Sequence, residues 1–232
     1  MNESENVFKE DAAREAIIAV NSGMVIGLGS GTTVRFFTEM LGALVQNGTL
    51  TNIIGVPTSE ATADLARAAG IALGTLDEHE VLDLAVDGAD EVDPKFNLIK
   101  GLGKALLREK MVAIHARKFI VVVDESKMVT KLGTKGPLPV EIVKFSAKAT
   151  VRWLNTLPGC VAELWEENGV PAVTDNGNYL ARCTFKDGIQ DVNILASELA
   201  QWPGIVEHGL FLDMAHMVIV GGANGVDTRV RK

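Results

Sequence analysis

The sequence predicts an α/β fold, in which helices cover both faces of a mostly parallel sheet, together with a second, smaller α+β domain. Short apolar runs alternate with segments of helical periodicity over residues 7–123, the pattern of strands joined by crossover helices. Aromatic residues are only 5% of a chain that is 47% hydrophobic, so aliphatic side chains must fill most of the core. The alternation ends near residue 136, where glycine and proline precede shorter strand-like runs.

The elements of the parallel sheet follow one another in the first half of the chain. Apolar residues at helical spacing predict an opening helix within residues 7–22, and Asn21-Ser22-Gly23 ends it. Thr58 or Ser59 is predicted to cap the helix that runs to Ala69. Strands are predicted at 24–28, 53–56, 82–86 and 119–123, and further helices at 34–44 and 104–117. Such an alternation implies right-handed crossovers.

The second half of the chain has a different pattern, which indicates a separate domain. One helix is predicted at 147–156, and 175–178 (Asp-Asn-Gly-Asn) is a turn signal between strand-like runs. The strand-like runs are 140–143, 159–164 and 179–184. The apolar run 217–220 resembles a core strand that returns to the first domain. We therefore predict a first domain of residues 1–130 and 207–232 and an α+β insert of residues 131–206.

Composition excludes several classes of protein. The net charge is −8 and no basic run is present, which argues against binding to the phosphate backbone of nucleic acids. Residues 1–11 are polar and acidic, unlike a signal peptide, and no apolar run approaches the roughly 20 residues that span a bilayer. Cys160 and Cys183 are isolated in the sequence and fit ordinary buried thiols. The four histidines lack metal-ligand spacing, so we expect no metal site. Together these features predict a cytoplasmic protein with no nucleic-acid or membrane partner.

A glycine-rich turn, residues 27–33 (Gly-Leu-Gly-Ser-Gly-Thr-Thr), joins the first strand to a helix. Helix N-termini carry unpaired N–H groups and attract anions. A dinucleotide fingerprint requires glycine where Thr32 stands, and a nucleotide P-loop requires a lysine that is absent. Ser30, Thr32 and Thr33 fit a lone phosphate monoester better. A tight turn with a capping hydroxyl explains the segment equally well, so both interpretations stay open here.

An acidic turn, residues 87–91 (Asp-Gly-Ala-Asp-Glu), directly follows the third predicted strand. It should therefore lie at the carboxyl edge of the sheet, where ligands bind in open α/β folds. Small residues separate Asp87 and Asp90, so both carboxylates can face one cavity. Downstream, Lys100 precedes a second glycine turn, and Glu109 on the next helix can point back towards its start. Surface solvation is the usual fate of such residues, and neither spacing alone excludes it.

Taken together, these segments resemble A-type ribose-5-phosphate isomerase over nearly the whole chain. The resemblance rests on the order and distances of 27–33, 87–91, 100–110, 124–127, 137–141, 174–178 and 209–211. It implies a Rossmann-like domain that carries the site, a ferredoxin-like insert with oligomer contacts, and a homodimer or homotetramer. It implies no cofactor, and interconversion of ribose 5-phosphate and ribulose 5-phosphate through an enediolate, in the non-oxidative branch of the pentose phosphate pathway.

The resemblance also implies roles for individual residues. The proton acceptor would be Glu109, with Asp87, Asp90 and Lys100 as further catalytic residues. The residues implied to contact the sugar phosphate are Ser30, Gly31, Thr32, Thr33, Asp87, Gly88, Ala89, Asp90, Lys100, Gly101, Leu102, Gly103, Lys127 and Lys9. The sequence departs from the family where Leu102 interrupts a glycine run and Lys104 replaces a small residue. We expect an ordinary backbone angle at Leu102 with its side chain turned away, and an added cation near the site at Lys104.

Two other functions are compatible with parts of the pattern. A sugar-phosphate sensor would bind the same ligand without turning it over. Such domains normally accompany a DNA-binding segment, and the acidic charge argues against one. A nicotinamide-dependent oxidoreductase would need the missing third glycine of the fingerprint.

Overall fold

The computed structural model describes residues 3–231, which divide by their contacts into two compact units. The first unit comprises the chain up to Ala89, Arg108–Lys127 and the segment from Met214 onwards, and the second comprises Asp90–Leu107 and Met128–Asp213. In chain order the elements are α1 (Glu3–Ile17), β1 (Val25–Leu28), α2 (Thr32–Gln46), β2 (Ile54–Pro57), α3 (Glu60–Ala68), β3 (Ala72–Leu73), β4 (Leu84–Asp87), β5 (Glu91–Val92), β6 (Leu98–Ile99), α4 (Leu106–His115), β7 (Phe119–Asp124), a 3₁₀ turn (Glu125–Lys127), β8 (Leu138–Ile142), α5 (Ala147–Leu154), β9 (Cys160–Leu164), β10 (Glu166–Glu167), β11 (Val170–Pro171), β12 (Tyr179–Phe185), α6 (Val192–Gln201), β13 (Ile205–His208), β14 (Leu210–Phe211), β15 (Met217–Gly222) and β16 (Gly225–Val230).

The first unit is built on a seven-stranded sheet in the order β16-β15-β7-β4-β1-β2-β3. Its strands pair in parallel except for β16, which runs antiparallel to β15 at the edge. All six residues of β7 are buried, as expected for a central strand covered on both faces. Among the described residues, the buried members of the main core cluster are aliphatic apart from Phe37, so aliphatic side chains fill most of that cluster. The predicted α/β fold class is confirmed.

Local signals explain where the helices of this unit begin. Ser59 is the N-cap of α3, and its Oγ accepts a hydrogen bond from the Thr62 N–H at 3.1 Å. Gly27 has no side chain because a Cβ there would lie 2.4 Å from Cγ1 of Val112, so α4 packs closely against β1. Each predicted strand and helix of the first half has a counterpart whose ends differ by a few residues.

The second unit contains a four-stranded antiparallel sheet in the order β13-β8-β12-β9. Its chain order, β8-α5-β9-β12-α6-β13, is the split βαβ arrangement of ferredoxin-like folds. The sequence predicted a single helix here, and this was wrong because α6 was missed. Asp191 caps α6 by accepting from the N–H groups of Asn193 and Ile194, a signal that the sequence already carried.

Two small sheets complete the second unit, β14-β6-β5 and β10-β11. The Glu91 carboxylate is almost fully buried and accepts from the N–H groups of Gly133, Lys135 and Gly136 at 2.6, 2.7 and 3.0 Å. These bonds and the pairing of β6 with β14 explain why residues 90–107 group with the second unit. The predicted division assigned them to the first domain. That division, with its insert at 131–206, stays a prediction. Within residues 3–231, none of the helices has both the length and the apolar character that crossing a bilayer requires.

Candidate active site

The glycine turn lies at the carboxyl end of β1 and leads directly into α2. Gly31 is the N-cap of α2 with φ at 105°, an angle that side chains rarely allow, and no side chain caps the helix. The first N–H groups of α2 are therefore not covered by a capping side chain. Thr32 is exposed, whereas Thr33 is buried with 8% of its surface accessible. This geometry suits an anion at the start of α2.

The acidic turn lies next to the glycine turn because β4 pairs in parallel with β1. Asp87 is the last residue of β4 and is 3% exposed. Its Oδ1 accepts from the Ser30 N–H at 3.1 Å and from the Gly88 N–H at 2.7 Å. Gly29 allows this approach, since a Cβ there would lie 2.2 Å from Asp87 Cγ. The structure thus joins the first two predicted segments through Asp87.

Ser30 is tied to the start of α3 as well as to Asp87. Its Oγ lies 2.9 Å from Thr58 Oγ1, 2.8 Å from Ser59 Oγ and 3.1 Å from Thr62 Oγ1. The sequence identified Thr58 and Ser59 only as capping residues and did not identify Thr62. Their hydroxyl-rich pattern after the end of β2 was the available signal, because β2 neighbours β1 in the sheet.

Two predicted lysines lie at this same carboxyl edge of the first unit. Lys127 ends the 3₁₀ turn that follows β7, which pairs in parallel with β4. Lys9 is on α1 and is 7% exposed. A Cβ on Gly221, near the end of β15, would lie 1.9 Å from the Phe8 carbonyl oxygen, so this part of α1 packs at that strand end. The first unit therefore places two cations at the sheet edge that carries the glycine turn.

Glu109 lies in the first turn of α4 and is 4% exposed. It precedes Val112 by three residues, so both side chains lie on the same face of α4. Val112 packs on Gly27, and α4 returns the chain from the carboxyl edge towards β7. Glu109 therefore lies towards the edge where Asp87 is found. Arg108, the residue before Glu109, forms an ion pair with Glu60 at 2.8 Å.

The second unit carries Asp90, just before β5, and residues 100–103, on the turn between β6 and α4. Gly88 and Ala89 belong to the first unit. Lys100 is 2% exposed, and its Nζ lies 5.5 Å from the centroid of the Phe211 ring. Its N–H donates to the Gly209 carbonyl at 2.9 Å. The Asp90 carboxylate accepts from the Leu102 N–H at 3.0 Å and so holds the turn that follows Lys100. Gly101 has φ at 106°, which favours glycine.

The two departures from the family pattern resolve differently. Leu102 is not among the residues with positive φ, as expected, and its Cδ1 lies close to Gly136. The left-handed angle falls on Lys104, with φ at 67°. Both carboxylate oxygens of Glu167 lie 2.9 Å from Lys104 Nζ. The added cation is therefore balanced by an ion pair within its own unit.

Cys160 and Cys183 are free, buried thiols, as the sequence indicates, although they are neighbours in space. They lie on the paired strands β9 and β12, and both are buried. A hydrogen bond from the Cys183 thiol lowers the pKa of Cys160, and the same bond, with burial, raises the pKa of Cys183. Across the described residues, no group of three or more His, Cys, Asp or Glu side chains is arranged to hold a metal ion.

One cavity of about 560 Å³ lies in the first unit and is lined by Ser59, Glu60, Arg108 and Met111, among others. None of the residues predicted to contact substrate lines it. The predicted site residues of the first unit lie instead at the carboxyl edge of the sheet.

The fold and this edge are typical of one class of protein: α/β proteins that bind a small anion where parallel strands end, beside buried carboxylates. Comparison with known proteins identifies the family within this class. The family model for ribose 5-phosphate isomerase A (phosphoriboisomerase A) matches residues 54–225. The chain therefore belongs to the ribose 5-phosphate isomerase A family, as the sequence resemblance predicted.

Individual relatives match nearly the full length. The probable ribose-5-phosphate isomerase 2 of Arabidopsis thaliana is 47% identical over 97% of this chain and 87% of that protein. The ribose-5-phosphate isomerase A of Roseiflexus sp. (strain RS-1) is 47% identical over 96% of this chain and 95% of its own. A solved D-ribose-5-phosphate isomerase in complex with phospho-erythronic acid has a TM-score of 0.95 at 41% identity, covering 100% of both chains.

Proposed function

We propose that this chain interconverts D-ribose 5-phosphate and D-ribulose 5-phosphate, a step of the non-oxidative branch of the pentose phosphate pathway. The observation that carries the proposal is the full-length likeness to an isomerase solved with phospho-erythronic acid. That ligand combines a phosphate with a planar carboxylate, the features that an enediolate of a sugar phosphate would present. The sheet edge of the first unit supplies groups suited to both.

The phosphate is held, in this proposal, at the start of α2. The N–H groups and hydroxyls of Thr32 and Thr33 donate to it, aided by the partial positive charge of the helix end. Lys127 and Lys9, at the same edge, balance its charge. Gly31 permits close approach of the backbone. Binding at this remote group positions the reacting carbons.

The proton transfer is assigned to Glu109. Its carboxylate removes the proton from C2 of the open-chain aldose, and the electron pair forms the C1–C2 double bond of the enediolate. Return of the proton to C1, with transfer of the hydroxyl proton from O2 to O1, gives the ketose. The position of Glu109 in the first turn of a helix, where its side chain is 4% exposed, supports a base that is held in a fixed place.

Three further residues complete the proposed chemistry. Lys100 stabilises the negative charge of the enediolate, and its burial makes that interaction stronger than in water. Asp87 assists opening of the furanose ring and proton exchange among the oxygens. Asp90 orients substrate hydroxyls and the turn after Lys100, which its bond to the Leu102 N–H supports. The backbone of Gly88, Ala89, Gly101, Leu102 and Gly103 completes the proposed substrate contacts.

The test of this function uses the purified protein and ribose 5-phosphate in D₂O, without nicotinamide nucleotide. We expect ribulose 5-phosphate to form with solvent deuterium at C1, because Glu109 exchanges its proton with water. Binding without conversion would instead identify a sensor. Conversion that depends on added nicotinamide nucleotide would identify an oxidoreductase.

We also propose a cytoplasmic homodimer or homotetramer with no cofactor. Exposed apolar residues on the second unit support association through that unit: Phe145 is 85% exposed and Val161, on the edge strand β9, is 69% exposed. Light scattering on a size-exclusion column measures the mass directly. A monomer at all concentrations would contradict the proposal.

A further inference from the structure

A cluster of four hydroxyls anchors the glycine turn, and the proposed mechanism does not use it. Its members are Ser30, Thr58, Ser59 and Thr62, and the last three are 1%, 8% and 6% exposed. All belong to the first unit. Ser59 is the N-cap of α3, so the cluster joins this helix to the turn after β1.

Three hydrogen bonds of the cluster follow one another in a single direction. Thr62 Oγ1 lies 3.0 Å from the Gly29 carbonyl oxygen. Because a carbonyl oxygen cannot donate, the Thr62 hydroxyl must donate to it. Ser59 donates to Thr62 Oγ1 at 2.9 Å. Ser30 in turn donates to Ser59 Oγ at 2.8 Å. Ser30 therefore donates to Ser59, Ser59 donates to Thr62, and Thr62 donates to the carbonyl of Gly29, the residue before Ser30.

The number of hydroxyl protons in the cluster limits the hydrogen bonds that Ser30 can donate to a ligand. The cluster contains five contacts at hydrogen-bond distance, counting the one to Gly29, but its four hydroxyls have only four protons to donate. Thr58 fills one of them by donating to Ser30 Oγ, since the Ser30 proton is already used. The Ser30 N–H is engaged as well, by Asp87 Oδ1. Both donors of Ser30 are thus committed within the protein.

A phosphate dianion accepts hydrogen bonds and donates none, so it gains nothing from a group whose protons are committed. We infer that Ser30 is not a phosphate ligand, and that Ser30, Ser59 and Thr62 are positioning residues that hold Asp87 and the glycine turn in register from α3. This inference rests on the proposed function, in which Asp87 acts on the sugar and the start of α2 binds its phosphate.

The alternative is the direct role that the family resemblance implies for Ser30. The two roles predict different losses. A lost phosphate donor weakens binding of every phosphate, including inorganic phosphate. A lost anchor shifts Asp87 and lowers turnover, while the start of α2 still binds phosphate. The comparison of phosphate affinity with kcat therefore separates them.

The experiment compares Ser30→Ala, Thr62→Val and Thr62→Ser with Thr33→Val. Calorimetry gives the Kd of inorganic phosphate, and initial rates with ribose 5-phosphate give kcat and KM. We expect Ser30→Ala and Thr62→Val to lower kcat by about tenfold or more, with phosphate Kd changed by less than about twofold. Thr62→Ser keeps the hydroxyl and restores kcat. Thr33→Val raises the phosphate Kd and KM instead.

The outcomes that overturn the inference are equally specific. A phosphate Kd raised about tenfold by Ser30→Ala, with kcat retained, would make Ser30 a ligand. Equal losses in Thr62→Val and Thr62→Ser would show that the hydroxyl is irrelevant. Failure of the wild type to convert ribose 5-phosphate would refute the proposed function, whereas the phosphate Kd series would still decide the role of Ser30. Thermal melts of each variant establish that it is folded.

Discussion

Replacing Gly29 by alanine puts a methyl group into the contact between the ends of β1 and β4. The new Cβ would lie 2.2 Å from Cγ and Oδ1 of Asp87 and 2.6 Å from its Cα. Carbon atoms in contact are normally about 3.5–4.0 Å apart. The Asp87 backbone cannot rotate away as a flexible side chain could, so the two turns must separate by about 1 Å.

The magnitude follows from two costs of that separation. Overpacking of this kind destabilises by about 1–3 kcal/mol. The hydrogen bond from the Ser30 N–H to the buried Asp87 carboxylate, now 3.1 Å, also lengthens, and a bond to a charged group contributes about 1.5–3 kcal/mol. We expect a loss of about 3 kcal/mol in the free energy of unfolding. Because Asp87 moves by about 1 Å, kcat/KM should fall by about 10².

Urea denaturation and initial rates with ribose 5-phosphate measure the two effects. Gly136→Ala is the matched control, since its Cβ would meet nothing closer than Leu102 Cδ1 at 3.8 Å. Gly136 also keeps its N–H bond to Glu91 after the change. The control should stay within about 0.5 kcal/mol of the wild type. Wild-type stability and activity in Gly29→Ala would refute the close contact on which the site geometry depends.

Two further predictions concern the second unit. Glu141 is fully buried, and its Oε1 accepts from Thr174 Oγ1 at 2.9 Å, Asn178 Nδ2 at 2.9 Å and Asn176 Nδ2 at 3.2 Å. Glu141→Ala should cost about 3 kcal/mol in urea denaturation because buried donors lose their acceptor, and a loss under about 1 kcal/mol would contradict this. Cys183→Ala removes the thiol that donates to Cys160, so the pKa of Cys160 should rise and its thiolate absorbance should appear at higher pH. An unchanged or lower midpoint would show that the bond does not set that pKa.

The sequence was sufficient for the parallel sheet because each strand and helix carries its own periodicity. The apolar run 119–123 is one example, and the structure has β7 at Phe119–Asp124. The Asp87 turn could be placed at the carboxyl edge for the same reason: it directly follows a strand. Ser59 as a cap was likewise predictable, since capping depends on residues within the first turn.

Interactions between segments that are distant along the chain could not be predicted from the sequence. The sequence groups Glu91 with the acidic turn of residues 87–91, yet its carboxylate is bound by N–H groups more than 40 residues away. The strands β5 and β6 have two residues each, too few for a periodicity to show. The Asn168-Gly169 turn between β10 and β11 did carry a hairpin signal, which was missed.

Two segments that supported the family resemblance meet in the structure. Glu141 ends the segment 137–141, and its hydrogen-bond partners lie in 174–178. The sequence showed both as separate motifs, but their pairing depends on the antiparallel register of β8 and β12, which no local pattern specifies. The four-hydroxyl cluster is similar, since its members come from the glycine turn after β1 and from the start of α3 after β2.

The most direct test of the account is the rate of ribulose 5-phosphate formation by Glu109→Gln, an isosteric change that removes the base. The account predicts that the wild type isomerises ribose 5-phosphate and that the variant loses about 10²–10⁴ in kcat. The variant should still bind inorganic phosphate with wild-type affinity, because the start of α2 is untouched. Undiminished turnover in Glu109→Gln would contradict the central claim.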